Sequence, residues 1–423
     1  MEDHDLRYAL ANELHARPFP SLKAPCRALF LAIKHPQNAA ARDRDLDRAH
    51  LMDLLDRHGV PHPQPDATHY FGPLGKHMLK WESHTEFVSY TLFSDGVADQ
   101  PFAGHAFQLF PADWLAKVPG VRVTSALIRV ELFQSDADVA KKVVDWFVPE
   151  SVACSSVVDD AAIVASDFRI DANGHIRMAV FARPETGPNR IGRIVQRLSE
   201  IETYKTMSML GLSMARELTG QMNNTENDLS DLIDDMSSES KPSEATLKSL
   251  LKISAGLENM QAKSSFRFGA TGAYAALVTQ RIEAMRETHV HGRQTLREFM
   301  LRRFDPAMRT VGSSEERLAR MTDRATRAGE LLRTRVDVER SAQNQKLLAS
   351  MDARADMQLR LQQTVEGLSV VAISYYAINL ALYLMGPVGY ALDLSKTAMA
   401  ALVTPPVVIA VWYMVERIRK KMH

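Results

Sequence analysis

Two uninterrupted apolar runs lie near the C-terminal end of the chain. Residues 367–386 and 397–415 contain no charged side chain, and each is close to the ~20 residues that a helix needs to cross the hydrocarbon core of a bilayer. Two such runs in tandem, with Trp412 and Tyr413 near one end, favour a transmembrane hairpin over a pair of buried core helices. The pattern therefore predicts a membrane anchor.

The charges that flank these runs predict an orientation. Four basic side chains lie in the tail 417–423, whereas the loop between the runs offers a single lysine, Lys396. The positive-inside rule therefore places the C-terminus in the cytoplasm, and an even number of spans places the N-terminal part there too. We expect a protein of the bacterial inner membrane with both termini cytoplasmic and the lipid bilayer as a partner.

The first 186 residues have the pattern of a mixed α/β domain. Helical apolar spacing occurs at 45–58 and 137–147, and Asn173-Gly174 is typical of a tight turn between two strands. Runs rich in β-branched and aromatic residues predict strands at 27–33, 77–81, 86–93, 121–132, 162–170 and 176–181.

Long helical stretches with few strand formers replace this pattern over residues 187–366. The last of them begins near Ser313 and keeps an apolar stripe that includes Leu318 and Met321. If this helix runs unbroken into the first apolar run, it is about 80 Å long. The predicted fold class is α+β, with an α/β sheet domain at 1–186, a long-helix bundle and coiled-coil stalk at 187–366, a transmembrane hairpin at 367–416 and a basic tail at 417–423.

Composition narrows the class of protein further. The 51 basic and 51 acidic residues cancel, so we expect no nucleic-acid partner. Only Cys26 and Cys154 are present, too few for a disulfide framework, which indicates a reducing compartment. The N-terminus is acidic and polar and has no apolar stretch, unlike a secretory signal.

One candidate for chemistry is the segment WESHTEF at 81–87. Read as one alternating strand, it places Glu82, His84 and Glu86 on a single face. Two carboxylates that flank an imidazole are suited to a divalent cation or to acid–base work. The alternative is a solvated strand face over a core. Apart from this candidate divalent cation, no cofactor is expected.

A second polar segment is NELHARPF at 12–19, in which His15 can titrate near neutrality and Arg17 can pair with a carboxylate or phosphate. A helix end with surface charges is the plainer interpretation. The chain has no serine-histidine-aspartate order, metalloprotease helix or dinucleotide fingerprint, so we expect that it is not an enzyme. The alternative to a non-enzymatic protein is a membrane-bound hydrolase centred on the WESHTEF carboxylates and imidazole.

The first apolar run also contains a polar line. Tyr376, Asn379 and Tyr383 fall on one helical stripe. In an oligomer this stripe lines a pore, and the alternative is that the asparagine forms a hydrogen bond between packed helices.

Three segments carry a resemblance to a known family: NELHARPF at 12–19, KWESHTEF at 80–87 and LQQTVEGLSVVAISYY at 361–376. Together they resemble a bacterial domain-of-unknown-function family of predicted membrane-anchored proteins, and the similarity covers essentially the whole chain. The resemblance implies a membrane anchor and supplies no activity.

The order of parts is also similar to that of CorA-type magnesium channels. Those channels carry a Tyr-Gly-Met-Asn signature where this chain has Tyr383-Leu384-Met385-Gly386, so the resemblance implies a homo-oligomeric channel that lacks the magnesium signature. The alternative is a membrane-tethered scaffold or regulatory protein that binds a cytoplasmic protein partner through its α/β domain.

Overall fold

The computed structural model describes residues 3–8, 11, 18–238, 243–392 and 395–422. The chain divides into two compact units. The first comprises Met1–Lys241 and Lys248–Ala328, and the second comprises Pro242–Leu247 and Gly329–His423.

The first unit is built on a nine-stranded sheet within the described residues. The strand order is β2-β3-β4-β1-β5-β8-β7-β6-β9, and every neighbouring pair is antiparallel except β5 and β8, which are parallel. The strands are β1 (Cys26–Lys34), β2 (His69–Leu74), β3 (His77–Ser83), β4 (Phe87–Asp95), β5 (Val121–Leu132), β6 (Ala153–Val157), β7 (Ala162–Ile170), β8 (Ile176–Ala182) and β9 (Thr288–His289).

The predicted α+β class is confirmed. Five of the six predicted strands lie within observed ones, and the sixth, predicted at 86–93, begins one residue before β4. The predicted turn between the last two is also present. Gly174 there has a φ of +85°, and the Asp171 carboxylate accepts hydrogen bonds from the backbone N–H groups of Asn173 and His175 at 2.9 Å each.

Short helices cover one face of the sheet. The order strand, helix and three-stranded meander occurs twice along the chain, first from β1 to β4 and then from β5 to β8. Because successive strand residues alternate between faces, β1 sends Leu29 and Leu31 into a core that includes Trp114. These helices are α1 (Arg44–Arg57), α2 (Ala112–Ala116) and α3 (Asp136–Trp146).

Long helices cover the opposite face, where Phe30 of β1 shares a core with Ile194 and Val195. Helix α4 (Pro188–Ser238) crosses this face and contacts β1, β5 and β8. Next along the chain are α5 (Ser243–Glu283), α6 (Leu296–Arg303) and α7 (Asp305–Ala391). The last begins earlier than the predicted start near Ser313 because Asp305-Pro306 already opens the helix, and proline is well suited to a first helical turn.

The second unit contains the remainder of α7 and helix α8 (Lys396–Met422). These two helices are long and apolar enough to cross a membrane. The most apolar windows have mean hydropathies of 1.7 and 1.9, and only 6% of each window is buried within the described chain. The apolar runs predicted as spans are therefore helical and have exposed side chains.

Candidate functional site

A cavity of about 220 Å³ lies in the first unit between strands β3 and β4 and helix α4. We call it the β3–β4 cavity. Its sheet wall includes Lys80, Glu82, Ser89 and Thr91, and its helix wall includes residues from Val195 to Tyr204. Arg281 of α5 and Phe19 of the N-terminal segment also line the cavity.

Strand alternation explains why these side chains line one space. On β3, Leu79 and Trp81 are fully buried in the core on the α1 side. Lys80 lies between these two residues and Glu82 follows them, so both project to the opposite face of the sheet, toward α4. The Lys80 side chain is only 4% exposed, which is unusual for a lysine unless its ammonium is paired. Its partners are found in the wall of the cavity.

A continuous polar chain runs along the cavity wall. Lys80 Nζ lies 3.2 Å from Glu82 Oε1 and donates a 2.9 Å hydrogen bond to Gln196 Oε1. The same amide donates from Nε2 to Glu200 Oε1 at 2.8 Å, and Arg281 Nε donates to the other Glu200 oxygen. Two cations and two anions thus alternate along the wall.

Two hydroxyl groups in the cavity have no hydrogen-bond partner among the described residues. Ser89 is 3% exposed and Thr91 is 6% exposed, and both line the space. The strand register places Thr91 directly opposite Lys80, and Ser89 directly opposite Glu82. Because buried hydroxyls are normally hydrogen-bonded, these two groups are available to a bound molecule.

Aromatic rings form the rest of the wall. The His84 ring stacks on Phe87 with centroids 4.3 Å apart, and the lining residue Tyr204 stacks at 5.7 Å on Tyr274, which lies outside the lining. Burial, together with the neighbouring Glu86 carboxylate, raises the pKa of the Tyr274 hydroxyl well above its ordinary value. The Tyr274 hydroxyl therefore keeps its proton to a higher pH than an ordinary tyrosine does.

The segment WESHTEF is a hairpin turn, so its interpretation as one alternating strand is wrong. Strand β3 ends at Ser83 and β4 begins at Phe87, and the His84 N–H donates to the Phe87 carbonyl at 2.8 Å. Glu82 and His84 line the cavity. Glu86 is 1% exposed and forms an ion pair with Arg267.

This turn explains why the three residues do not act together on a metal. The carboxylate of Glu86 is neutralised by Arg267 and does not join Glu82 and His84. Across the described residues, no three histidine, cysteine, aspartate or glutamate side chains form a group able to hold a metal ion. The hypothesis of a shared divalent cation at Glu82, His84 and Glu86 is therefore corrected.

A buried arginine holds the turn. The Arg42 guanidinium donates to the carbonyl oxygens of Thr85 at 2.6 Å and His84 at 2.8 Å. Its Nε lies 2.7 Å from an Asp47 carboxylate oxygen, and both side chains are 2% exposed. Arg42 thereby fixes the position of the His84 backbone beside the cavity.

The N-terminal segment docks onto the start of α4. The Leu22 N–H donates to the Pro188 carbonyl at 3.1 Å, and a Cβ added to Gly192 would lie 1.6 Å from the Pro20 carbonyl oxygen. Only a glycine permits that approach. Phe19 consequently reaches the cavity. His15 and Arg17, also predicted as candidates, lie outside the described residues.

Two segments noted for family resemblance therefore meet at one site, since Phe19 comes from NELHARPF and Lys80 to Phe87 from KWESHTEF. Sequence reasoning identified Glu82 and His84 but missed Lys80, Ser89, Thr91 and Gln196. The one available signal was a lysine within a buried strand. Its partner Gln196 is 116 residues away.

The stripe predicted on the first apolar run lies on α7 in the second unit. Tyr376 is 73% exposed and Tyr383 is 83% exposed, whereas Asn379 is partly buried. Nearby, Ser374 is 6% exposed, and its hydroxyl has no partner within the described chain. The two tyrosines thus face outward, whereas the amide between them is partly covered.

Comparison with known proteins gives a family and no activity. A family model described as "Protein of unknown function (DUF3422)" matches residues 2–422. No curated protein matches the chain, and no solved structure matches it. The resemblance to CorA-type channels accordingly stays a prediction.

Proposed function

The chain belongs to the DUF3422 family of proteins of unknown function, and we propose that it is a membrane-tethered regulatory or scaffold protein. In this proposal the C-terminal hairpin anchors it in the bacterial inner membrane. The sheet-containing unit lies in the cytoplasm and acts by binding.

The observation that carries the binding role is the β3–β4 cavity. It gathers paired charges, aromatic rings and two buried hydroxyls without partners among the described residues. Such a concave site with a few convergent polar groups is the usual form of a ligand site. We propose binding rather than catalysis because Lys80, Glu82 and Glu200 are each engaged by another protein group, which leaves none of them as an isolated nucleophile or base.

Two features of the C-terminal region support the anchor. Its two apolar helices are exposed along windows long enough to span a bilayer. The basic side chains after residue 416 favour a cytoplasmic C-terminus, and two spans return the sheet-containing unit to the same side.

Membrane fractionation tests the anchor. The full-length chain should stay in the membrane pellet after an alkaline wash, whereas a chain that ends after Glu366 should move to the supernatant. The sheet-containing unit provides the control, because it should give the same protease-resistant fragment in both proteins. A full-length chain that washes off would contradict the anchor.

Ion conduction by a homo-oligomer is the second candidate, and the stripe of Tyr376, Asn379 and Tyr383 supports it. A carboxamide in hydrocarbon needs a partner or water, because burying it alone costs a few kcal/mol. If the stripe lines a pore, Asn379→Leu should abolish ion flux in reconstituted vesicles and leave the oligomer intact. If the amide joins helices, the same change should weaken the oligomer by roughly 0.6 to 2 kcal/mol.

The mass of the protein in detergent separates these outcomes. A monomer, or an oligomer that shows no flux as wild type, would eliminate the conducting role. Neither result bears on the cavity in the sheet-containing unit.

A further inference from the structure

We infer that the β3–β4 cavity binds a small zwitterion of free-amino-acid size, with its carboxylate against Lys80 and Thr91 and its ammonium against Glu82 and Ser89. This inference rests on the proposal that the sheet-containing unit is the binding part of the protein. It adds the chemical class of the ligand.

The size of the cavity limits the ligand. A volume of about 220 Å³ corresponds to roughly seven water molecules at ~30 Å³ each. That space matches a molecule of free-amino-acid size, whereas most of a nucleotide or a folded peptide segment would extend outside it. Phe19 is 47% exposed at this site, so the lining includes a side chain that solvent reaches.

The pairing of charges selects a zwitterion. Lys80 and Glu82 project from the same face of β3, with Nζ and Oε1 3.2 Å apart. A lysine ammonium has three donors. One is donated to Gln196, and the ion pair with Glu82 accounts for at most one more. The second oxygen of Glu82 has no described contact. One donor of the Lys80 ammonium and one oxygen of Glu82 thus remain available, side by side, to a ligand.

A ligand with only one charge would match half of this arrangement. A lone anion would approach Lys80 but would also meet the Glu82 carboxylate, and a lone cation would meet the Lys80 ammonium. Like charges at this spacing repel. A molecule that carries both charges matches both groups at once.

The cross-strand register repeats the same polarity with hydroxyl groups. Thr91 faces Lys80 and Ser89 faces Glu82 across the β3–β4 ladder, where directly opposed side chains are ~5 Å apart at Cβ. Thr91 therefore adds a donor beside the cation, and Ser89 adds an acceptor beside the anion. Both hydroxyls are more than nine-tenths buried.

The apolar surroundings indicate what the rest of the ligand is. Phe87 and Phe93 flank the two hydroxyl residues on the same face of β4, and Phe30 on β1 lies opposite Thr91. These rings favour an apolar or aromatic group on the carbon that carries the two charges. Sugars and highly polar solutes would leave the rings uncovered.

Calorimetric titration of the full-length protein in detergent with each free L-amino acid tests the inference. Any amino acid that binds is then compared with its amide, which lacks the carboxylate charge, and with its desamino acid, which lacks the ammonium. We expect at least one amino acid with an apolar side chain to bind. Both analogues should bind about tenfold or more weakly, as expected for loss of a charged hydrogen bond.

Four variants locate the two ends of the ligand. Thr91→Val should weaken the amino acid and leave the affinity of its amide unchanged, and Lys80→Met should weaken the amino acid while its cationic amide, freed from the like charge, binds at least as well as before. Ser89→Ala should weaken the amino acid and leave the affinity of its desamino acid unchanged, and Glu82→Gln should weaken the amino acid while its anionic desamino acid binds at least as well as before. Thr326→Val is the matched control, because that exposed hydroxyl bonds its own helix and lies outside the cavity lining.

Three results would overturn the inference: no amino acid binds the wild-type protein at millimolar concentration, an analogue with one charge binds as tightly as the zwitterion, or Thr91→Val and Ser89→Ala bind like wild type. The last two variants keep the test decisive if changes at Lys80 or Glu82 impair folding. Absence of binding in the titration would not affect the conclusion about the membrane anchor, and release of the protein in the alkaline wash would not affect the titration. The membrane anchor and the zwitterion site are therefore tested independently.

Discussion

Gly192 lies where the N-terminal segment packs against α4. A methyl group there would lie 1.6 Å from the Pro20 carbonyl oxygen and 2.7 Å from its carbonyl carbon. Both are backbone atoms, so a side-chain rotation cannot relieve the overlap. Gly192→Ala should therefore lift the segment from Pro20 to Leu22 away from the helix.

The structure sets the size of the effect. Leu22 is 7% exposed, and burying such a side chain contributes about 1.5–3 kcal/mol. The hydrogen bond from its N–H to Pro188 adds about 0.5–1.5 kcal/mol. Alanine recovers about 1 kcal/mol of helix propensity. The expected net loss in the free energy of unfolding is about 1–3.5 kcal/mol.

Urea unfolding of the full-length protein in detergent, followed by tryptophan fluorescence, measures this loss. Trp81 and Trp114 are completely buried in the sheet-containing unit and report on its unfolding. Gly220→Ala is the matched control, because Gly220 lies on the same helix with nothing within 4 Å of its added Cβ. It should stabilise by up to about 1 kcal/mol.

The two substitutions are chemically identical and are predicted to have opposite signs. If Gly192→Ala is as stable as wild type, or gains stability as Gly220→Ala should, the close approach of Pro20 to α4 is refuted. The same result would remove Phe19 from the lining of the cavity.

Two further predictions concern the same unit. Arg42→Met should lower the free energy of unfolding by about 3–5 kcal/mol because Asp47 stays buried without its partner. Arg48→Met is the control, because Arg48 pairs with an exposed carboxylate and its loss should cost about 1 kcal/mol or less. Equal urea midpoints for the two variants would contradict the role of Arg42 in holding the turn between β3 and β4. Burial lowers the pKa of His50 and His175 below the ordinary 6.5. As the pH drops below ~6.5, these histidines therefore bind protons in the unfolded chain before they do so in the folded chain. The free energy of unfolding should accordingly be highest above pH ~6.5 and fall below it. His175→Asn should reduce that fall, as urea midpoints at about pH 7.5 and 5.5 will show.

The strands and the apolar helices were predictable because their signals are local. Strand β1 and the helices at the C-terminus are specified by short windows of residue type. Strand β2 was missed because Gly72 and Pro73 interrupt it, as an edge strand tolerates. Strand β6 was missed because the segment ACSSV is small and polar although it is buried.

The cavity was predicted only in part because tertiary contacts define it. The alternation through Glu82, His84 and Glu86 continues across a turn, and the clamp that fixes this turn, Arg42, lies about 40 residues earlier. Periodicity within one segment cannot show that contact. Lys80 likewise gains its role from Gln196 on a helix that follows much later.

Cysteine labelling in intact spheroplasts tests the central claim of a membrane-tethered protein with a cytoplasmic sheet-containing unit. The native thiols give little background, since Cys26 and Cys154 are 2% and 1% exposed and burial raises the pKa of Cys26 to about 12 and that of Cys154 to about 11. Ser395→Cys lies between the two apolar helices, and Lys117→Cys lies on the exposed surface of the sheet-containing unit. An impermeant maleimide should label Ser395→Cys in intact spheroplasts and Lys117→Cys only after the membrane is permeabilised. Labelling of Lys117→Cys from outside, or of Ser395→Cys only after permeabilisation, would contradict the account.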